Sequence, residues 1–212
     1  MRARTAPATS GIIVTCVVVY LAQLIPGLNI TAELLYAGAY SFPGTLEPWR
    51  MLTSAFAHST GSVLHILLNM YTLWIFGRIL EPFLGTGRFV ALYVLSAWAG
   101  SVGVLWWASP LTPVIGASGA VFGVIGAYIM VQRTLGGSST QLYILLAINL
   151  VIGFIPGMAI AWESHVGGLI VGVAVGWLYV RTRRTTQQRS QLLGLLGIAV
   201  LLVLLSARFF LA

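Results

Sequence analysis

The chain has no lysine and no aspartate: all eleven basic residues are arginine, and the four acids are Glu33, Glu47, Glu81 and Glu163. Without aspartate a Ser-His-Asp triad is excluded, and any carboxylate chemistry must come from those four glutamates. Cysteine occurs once, at Cys16 inside the first apolar stretch. That excludes an internal disulfide and any multi-cysteine metal centre, and a free thiol in such surroundings reads as packing. Charge is scarce altogether, at 7% of 212 residues, where a soluble domain carries about 25%. What fills the chain instead is apolar: 58% of its residues are hydrophobic. This is the composition of an all-α polytopic membrane protein. The net charge of +7 does not point to nucleic acid, because the arginines stand at the ends of apolar runs. There they set topology and meet anionic head groups, so the bilayer is the expected partner.

The uncharged gaps map the spans. Residues 5–32, 51–77, 89–132, 134–162, 164–180 and 190–207 contain no Arg or Glu. A spanning helix needs about 20 apolar residues. The run 89–132 is too long for one helix, and Ser109-Pro110 with Thr112-Pro113 divides it into a hairpin. Seven helices are expected, near 11–27, 61–79, 89–107, 116–132, 140–158, 165–180 and 192–210. The corresponding organisation is a short arm over 1–10, a six-helix unit over 11–180, a basic loop over 181–191 and a seventh helix over 192–212. The first span follows Arg2 and Arg4 but lacks a small-x-small cleavage site before Gly27, so it reads as an uncleaved helix.

Counting arginines orients the chain. With the N-terminus inside, Arg2, Arg4, Arg78, Arg88, Arg133, Arg181, Arg183, Arg184 and Arg189 fall on inner segments, and Arg50 and Arg208 on outer ones. Nine against two is the positive-inside bias of a cytoplasmic N-terminus. A bacterial plasma membrane is the default location. The loop 28–60 then lies outside, and its apolar side chains (Leu34, Leu35, Tyr36, Tyr40, Phe42) predict that it is partly embedded at the interface. The sixth span, counted from His165 to Val180, is short, as is the fourth from Ser118 to Gln132. Both are expected to begin a few Å below the outer surface.

Polar groups inside spans are costly, and those that persist are functional or hydrogen-bonded. Four stand out: Ser118, His165, His65 and Asn69. Ser118 opens a helix between small residues, Gly116-Ala117-Ser118-Gly119. The bland reading is a helix N-cap. The chemical one sets the hydroxyl beside helix-end amides that would stabilise an oxyanion, with Gly116 and Gly119 giving a substrate room. Gly168, Gly172 and Gly176 recur every fourth residue after His165, and Gly119, Gly123 and Gly126 form a matching face on the fourth span. Such small-residue faces let two helices touch, which would bring His165 to Ser118 as a base to a nucleophile. The absence of aspartate favours a dyad, with Glu163, two residues from His165, as the alternative orienting third member. His65 and Asn69 are four apart on one helix face, either as an inter-helix bonded pair or as two oxyanion donors. His58 reads as a loop-packing residue. The three histidines lack the H-E-x-x-H spacing and a placed carboxylate, so neither a metal nor another cofactor is expected.

Taken together, Trp49-Arg50, His65-x-x-x-Asn69, Glu81, Gly116-x-Ser118-Gly119 and His165-x-x-Gly168-x-x-x-Gly172 resemble the rhomboid intramembrane serine proteases. The resemblance covers about residues 45–180. It implies a six-helix rhomboid-like core plus one extra C-terminal helix, with transmembrane proteins as substrates. Ser118 would be the nucleophile and His165 the general base. The Ser118 amide, His65 and Asn69 would form the oxyanion hole. Trp49, Arg50, Glu81, Gly168 and Gly172 would be structural, with Glu81 in the loop after the second helix. The fifth helix and the loop around Met158 would form the gate and cap. Many relatives carry Tyr four residues after the nucleophile, stacked on the histidine; here Phe122 stands there. The rival readings are a small-solute transporter, weakened by the lack of an inverted repeat, and a catalytically dead relative, which would typically have lost the Ser or the His.

Overall fold

The computed structural model describes residues 5–137, 140–153 and 160–208. Seven apolar helices carry the fold: α1 (Pro7–Gln23), α2 (Val63–Leu84), α3 (Thr86–Trp107), α4 (Ser118–Thr134), α5 (Thr140–Gly153), α6 (Trp162–Arg181) and α7 (Gln188–Ser206). Short helical turns at Ile30–Leu34, Gly38–Ser41 and Arg50–Thr53 lie between α1 and α2. Among the described residues the only β pairing is one isolated bridge between Tyr36 and Val114. The chain is an α-helical multi-pass membrane protein. By length and composition α2, α3, α6 and the segment Thr185–Ser206 can each cross a bilayer. Leu192, Leu193, Leu196 and Leu204 on α7 are more than half exposed, as a lipid-facing surface requires.

Three boundaries differ from the expected ones for physical reasons. α1 starts at Pro7, a residue with no N–H to leave unpaired at a helix start. The next two amides, of Ala8 and Thr9, donate to the Glu81 carboxylate at 2.9 and 2.8 Å, and the Thr9 hydroxyl adds a third bond. The anion also complements the helix dipole. Glu81 itself lies inside α2 and is buried, not in a loop after the helix: α2 continues past Pro82 to Leu84 and is closed by Gly85, whose φ is +88°. The third difference is α6, which begins at Trp162 and not at His165. Its 20 residues make about 30 Å at 1.5 Å per residue, so α6 is a full-length span and not a short one. His165 therefore sits one turn inside the helix, with Glu163 in the first turn where the dipole favours an acid.

α4 is the central helix. Val121 to Ala127 are buried without a break, which its all-round apolar sequence permits. α3 and α6 flank it so closely that glycines are mandatory. A β-carbon on Gly168 would overlap the Gly119 carbonyl, one on Gly172 the Gly123 backbone, and one on Gly176 would lie 2.6 Å from the Ala127 Cα. The register is constant, so α4 and α6 run parallel and their N-termini lie at the same end. α3 joins them where Gly100 meets Gly119 and where a β-carbon on Gly167 would collide with the Ala99 carbonyl.

The long segment between α1 and α2 is tied down throughout. Arg50, buried at its foot, bonds the Glu47 carboxylate and the carbonyls of Ala32 and Leu35, and lies 4.2 Å over the Tyr40 ring. The neighbouring Trp49 ring is 55% exposed, so within this pair the internal anchor is Arg50 alone. Ser101 of α3 donates to the Met51 carbonyl at 2.7 Å. Tyr36, fully buried, pairs with Val114 through both backbone bonds.

Candidate active site

The site forms where the parallel helices α4 and α6 begin. The loop into α4 is held from three directions: Val114 by Tyr36, Gly116 N–H by the Ser54 carbonyl at 2.9 Å, and Ala117 N–H by Nε2 of His58 at 3.4 Å. Gly116 has a φ of +127°, which strains any side chain, and a β-carbon there would stand 2.8 Å from His65 Nε2. The helix then starts at Ser118 with Ala117 as the N-cap residue, so the serine hydroxyl is not the cap. The first amides of the helix have no partner within it, and the Ser118 N–H is among them.

His165 is buried on α6 beside this helix start, and Phe122 of α4 stacks on it with centroids 4.2 Å apart and planes within 10°. Gly168, one turn further on, is the residue that touches Gly119. Ser118 and His165 thus occupy adjoining turns of two helices in backbone contact. His165 Nδ1 is buried and has no hydrogen-bond partner among the described residues, and the Phe122 stack is what fixes the ring's orientation there.

On α2, His65 Nδ1 accepts the Ser59 N–H at 3.1 Å. A nitrogen that accepts is unprotonated, so the neutral ring carries its proton on Nε2, the atom that faces Gly116. Asn69 is buried on the same face, its amide donating to the His65 carbonyl at 2.8 Å. That bond uses one of its two N–H groups.

Gly116 and Gly119 also carry packing contacts of their own. Gly116 serves the turn against His65, and Gly119 serves the three-helix contact, where a β-carbon would lie 2.6 Å from Ser164 Oγ. Behind Ser118, a cavity of about 20 Å³ is lined by Ser54, Ser101, Ser164 and both glycines, enough for one water molecule. The segment around Met158 lies outside the described residues.

His58 is the residue the sequence undervalued. It is fully buried, packs edge-on against His65 with centroids 5.3 Å apart, and holds Ala117. Its own backbone is clamped at both ends by Gln23 of α1, which accepts from His58 N–H at 3.0 Å and donates to its carbonyl at 2.9 Å. Burial drives the His58 imidazole down to about 4, with His65 adding to the effect, so it is the neutral acceptor this bond requires. The available signal was Gln23, a lone amide in the last turn of an otherwise apolar span.

At one end of this helical membrane protein a half-buried Ser118 and a buried His165 stand on neighbouring helices. Residues 45–182 match the Rhomboid domain, and the chain belongs to the rhomboid family. It is 33% identical over 159 residues to the mitochondrial Rhomboid protein 1 of Saccharomyces cerevisiae, covering 66% of this chain and 44% of that protein. It is 34% identical over 163 residues to the rhomboid protease GluP of Bacillus subtilis, covering 72% and 31%. With the rhomboid protease GlpG of Serratia proteamaculans the identity is 30% over 204 residues, covering 89% and 68%. The chain thus spans less than half of the first two relatives.

Proposed function

We propose that this chain is an intramembrane serine endopeptidase that cuts transmembrane or membrane-proximal segments of other membrane proteins. The observation that carries the reading is the stack of Phe122 on His165 at 4.2 Å, on the very helix that Ser118 opens. Neutral His165 takes the Ser118 hydroxyl proton as the oxygen attacks a peptide carbonyl. The carbonyl oxygen becomes an oxyanion facing the Ser118 N–H, His65 Nε2–H and the free amide proton of Asn69. His165 then gives its proton to the leaving amine, and an acyl-serine remains. Water, deprotonated by His165, attacks the ester; the second tetrahedral species collapses to a carboxylic acid and restores Ser118. No cofactor takes part. Both His65, through its fixed tautomer, and the orphan helix amide are donors set before any substrate arrives, which is what oxyanion stabilisation requires.

The arginine bias supports a cytoplasmic N-terminus and a dyad that opens to the extracytoplasmic side, with a plasma membrane as the default location. A fluorophosphonate probe tests the chemistry. It should label Ser118 covalently, and His165→Ala should slow labelling by about 10²-fold or more. Labelling of the His165→Ala protein at the wild-type rate would remove the base from the scheme, and labelling at another serine would remove the nucleophile.

A further inference from the structure

The end of the molecule away from the dyad carries a second feature. The C-terminal ends of α4 and α6 and the loop after α6 form an open, shallow cavity of about 550 Å³, lined by Met130, Thr134, Trp177, Val180, Arg181, Arg183, Arg184 and Gln187. The volume is that of a ligand site. Its lining is divided: Met130, Trp177 and Val180 are apolar, whereas three guanidinium groups come from one short stretch.

Those cations have no acid to meet. Among the described residues the ion pairs belong to Arg50 at the other end. Glu81, the one acid at this end, is engaged by the α1 amides. The loop is also braced. Gln187 accepts the Arg184 N–H at 3.2 Å, and Gln191 donates to the Thr182 carbonyl and hydroxyl at 3.2 and 2.8 Å. Gln191 is in turn held by Arg88 from α3 at 2.7 Å. Arg181 leans over the Trp177 ring, 5.7 Å from its centroid, with that ring half exposed as an interfacial tryptophan is.

We infer that this cavity binds the phosphate of an anionic phospholipid from the leaflet on that side, with the arginines on the head group and the Met130, Trp177 and Val180 surface against the upper acyl chain. A phosphate anion is the shared chemistry of a lipid head group and a free phosphate. The apolar part of the lining favours the lipid, since a free ion has no use for it. Basic pockets between spanning helices at a membrane face suit such head groups.

The test is native mass spectrometry on the full chain, titrated with phosphatidylglycerol, phosphatidylcholine or inorganic phosphate. The expected result is a retained phosphatidylglycerol, with little phosphatidylcholine and no displacement by phosphate. Each arginine lost should weaken binding about five-fold, so Arg181→Gln, Arg183→Gln and Arg184→Gln together should weaken it roughly 100-fold. The same three positions changed to Lys should retain most of the affinity and report that the fold is intact. Arg133→Gln with Arg189→Gln, at the same end but outside the lining, should change it less than about five-fold. Equal loss in that control would mean diffuse attraction and overturn the site. Unchanged binding in the glutamine triple variant, equal retention of phosphatidylcholine, or displacement by inorganic phosphate would overturn it as well.

Discussion

Gly168→Ala is the most demanding test of how the dyad is assembled. The added β-carbon would stand 2.6 Å from the Gly119 carbonyl carbon and 3.1 Å from its Cα, with the carbonyl oxygen nearer still, whereas ordinary contact begins at 3.4 Å. These neighbours are backbone and cannot rotate away. The two helices must part by at least about 0.8 Å along this line, because close-packed interiors have no slack to absorb it. Overpacking of this kind costs about 1–3 kcal/mol, which a bundle of this size can survive. Catalysis is less tolerant: a shift near 1 Å between reacting groups can cost about 10²-fold. The expected outcome is a folded protein whose kcat/KM on a reconstituted transmembrane substrate falls by roughly 10²-fold, with a modest fall in Tm. Gly197→Ala is the control, since nothing lies within 4 Å of a β-carbon there on α7. If Gly168→Ala cleaved at the wild-type rate, contact between α4 and α6 could not be what aligns Ser118 with His165.

Three further outcomes follow from the surroundings of the dyad. His58→Phe keeps the buried ring but removes the acceptor for Ala117 N–H, so stability should fall by about 1–3 kcal/mol and kcat should fall while KM holds; an unchanged kcat would dismiss the positioning role. The same residue predicts a pH effect: its folded value near 4 lies below the ordinary 6.5, so its contribution to stability is complete above pH 6.5 and is lost as pH falls towards 4. That contribution is about 3 kcal/mol by linkage, and chemical denaturation of wild type against His58→Gln across this window should show the difference. Phe122→Tyr should keep the stack on His165 and near-normal activity, whereas Phe122→Ala should lower kcat by about ten-fold or more, measured in the same cleavage assay.

Much of this was legible before any coordinates, because membrane helices write their rules openly. Uncharged runs located the seven helices, and the four-residue glycine spacing after His165 identified the face that meets Gly119. What sequence could not supply was the consequence of contacts far apart in the chain. The resemblance implies a loop position for Glu81, beyond the second helix expected near 61–79; its bonds to Ala8 and Thr9, more than seventy residues away, come with a helix that runs on to Leu84. α6 looked short because counting began at the histidine. The backbone contact of Gly119 with α6 and the turn of Gly116 against His65 were not legible, because small residues read the same whether they admit a ligand or another backbone. His58 looked like packing because the amide it holds lies 59 positions away.

The central claim is that Ser118 is the nucleophile. Its direct measurement is cleavage of a transmembrane substrate by purified wild-type protein and by Ser118→Ala, both reconstituted in lipid. The account predicts turnover by the wild type and a loss to background in the variant, with the Ser118→Ala protein retaining its melting temperature. Cleavage by Ser118→Ala at the wild-type rate would contradict it.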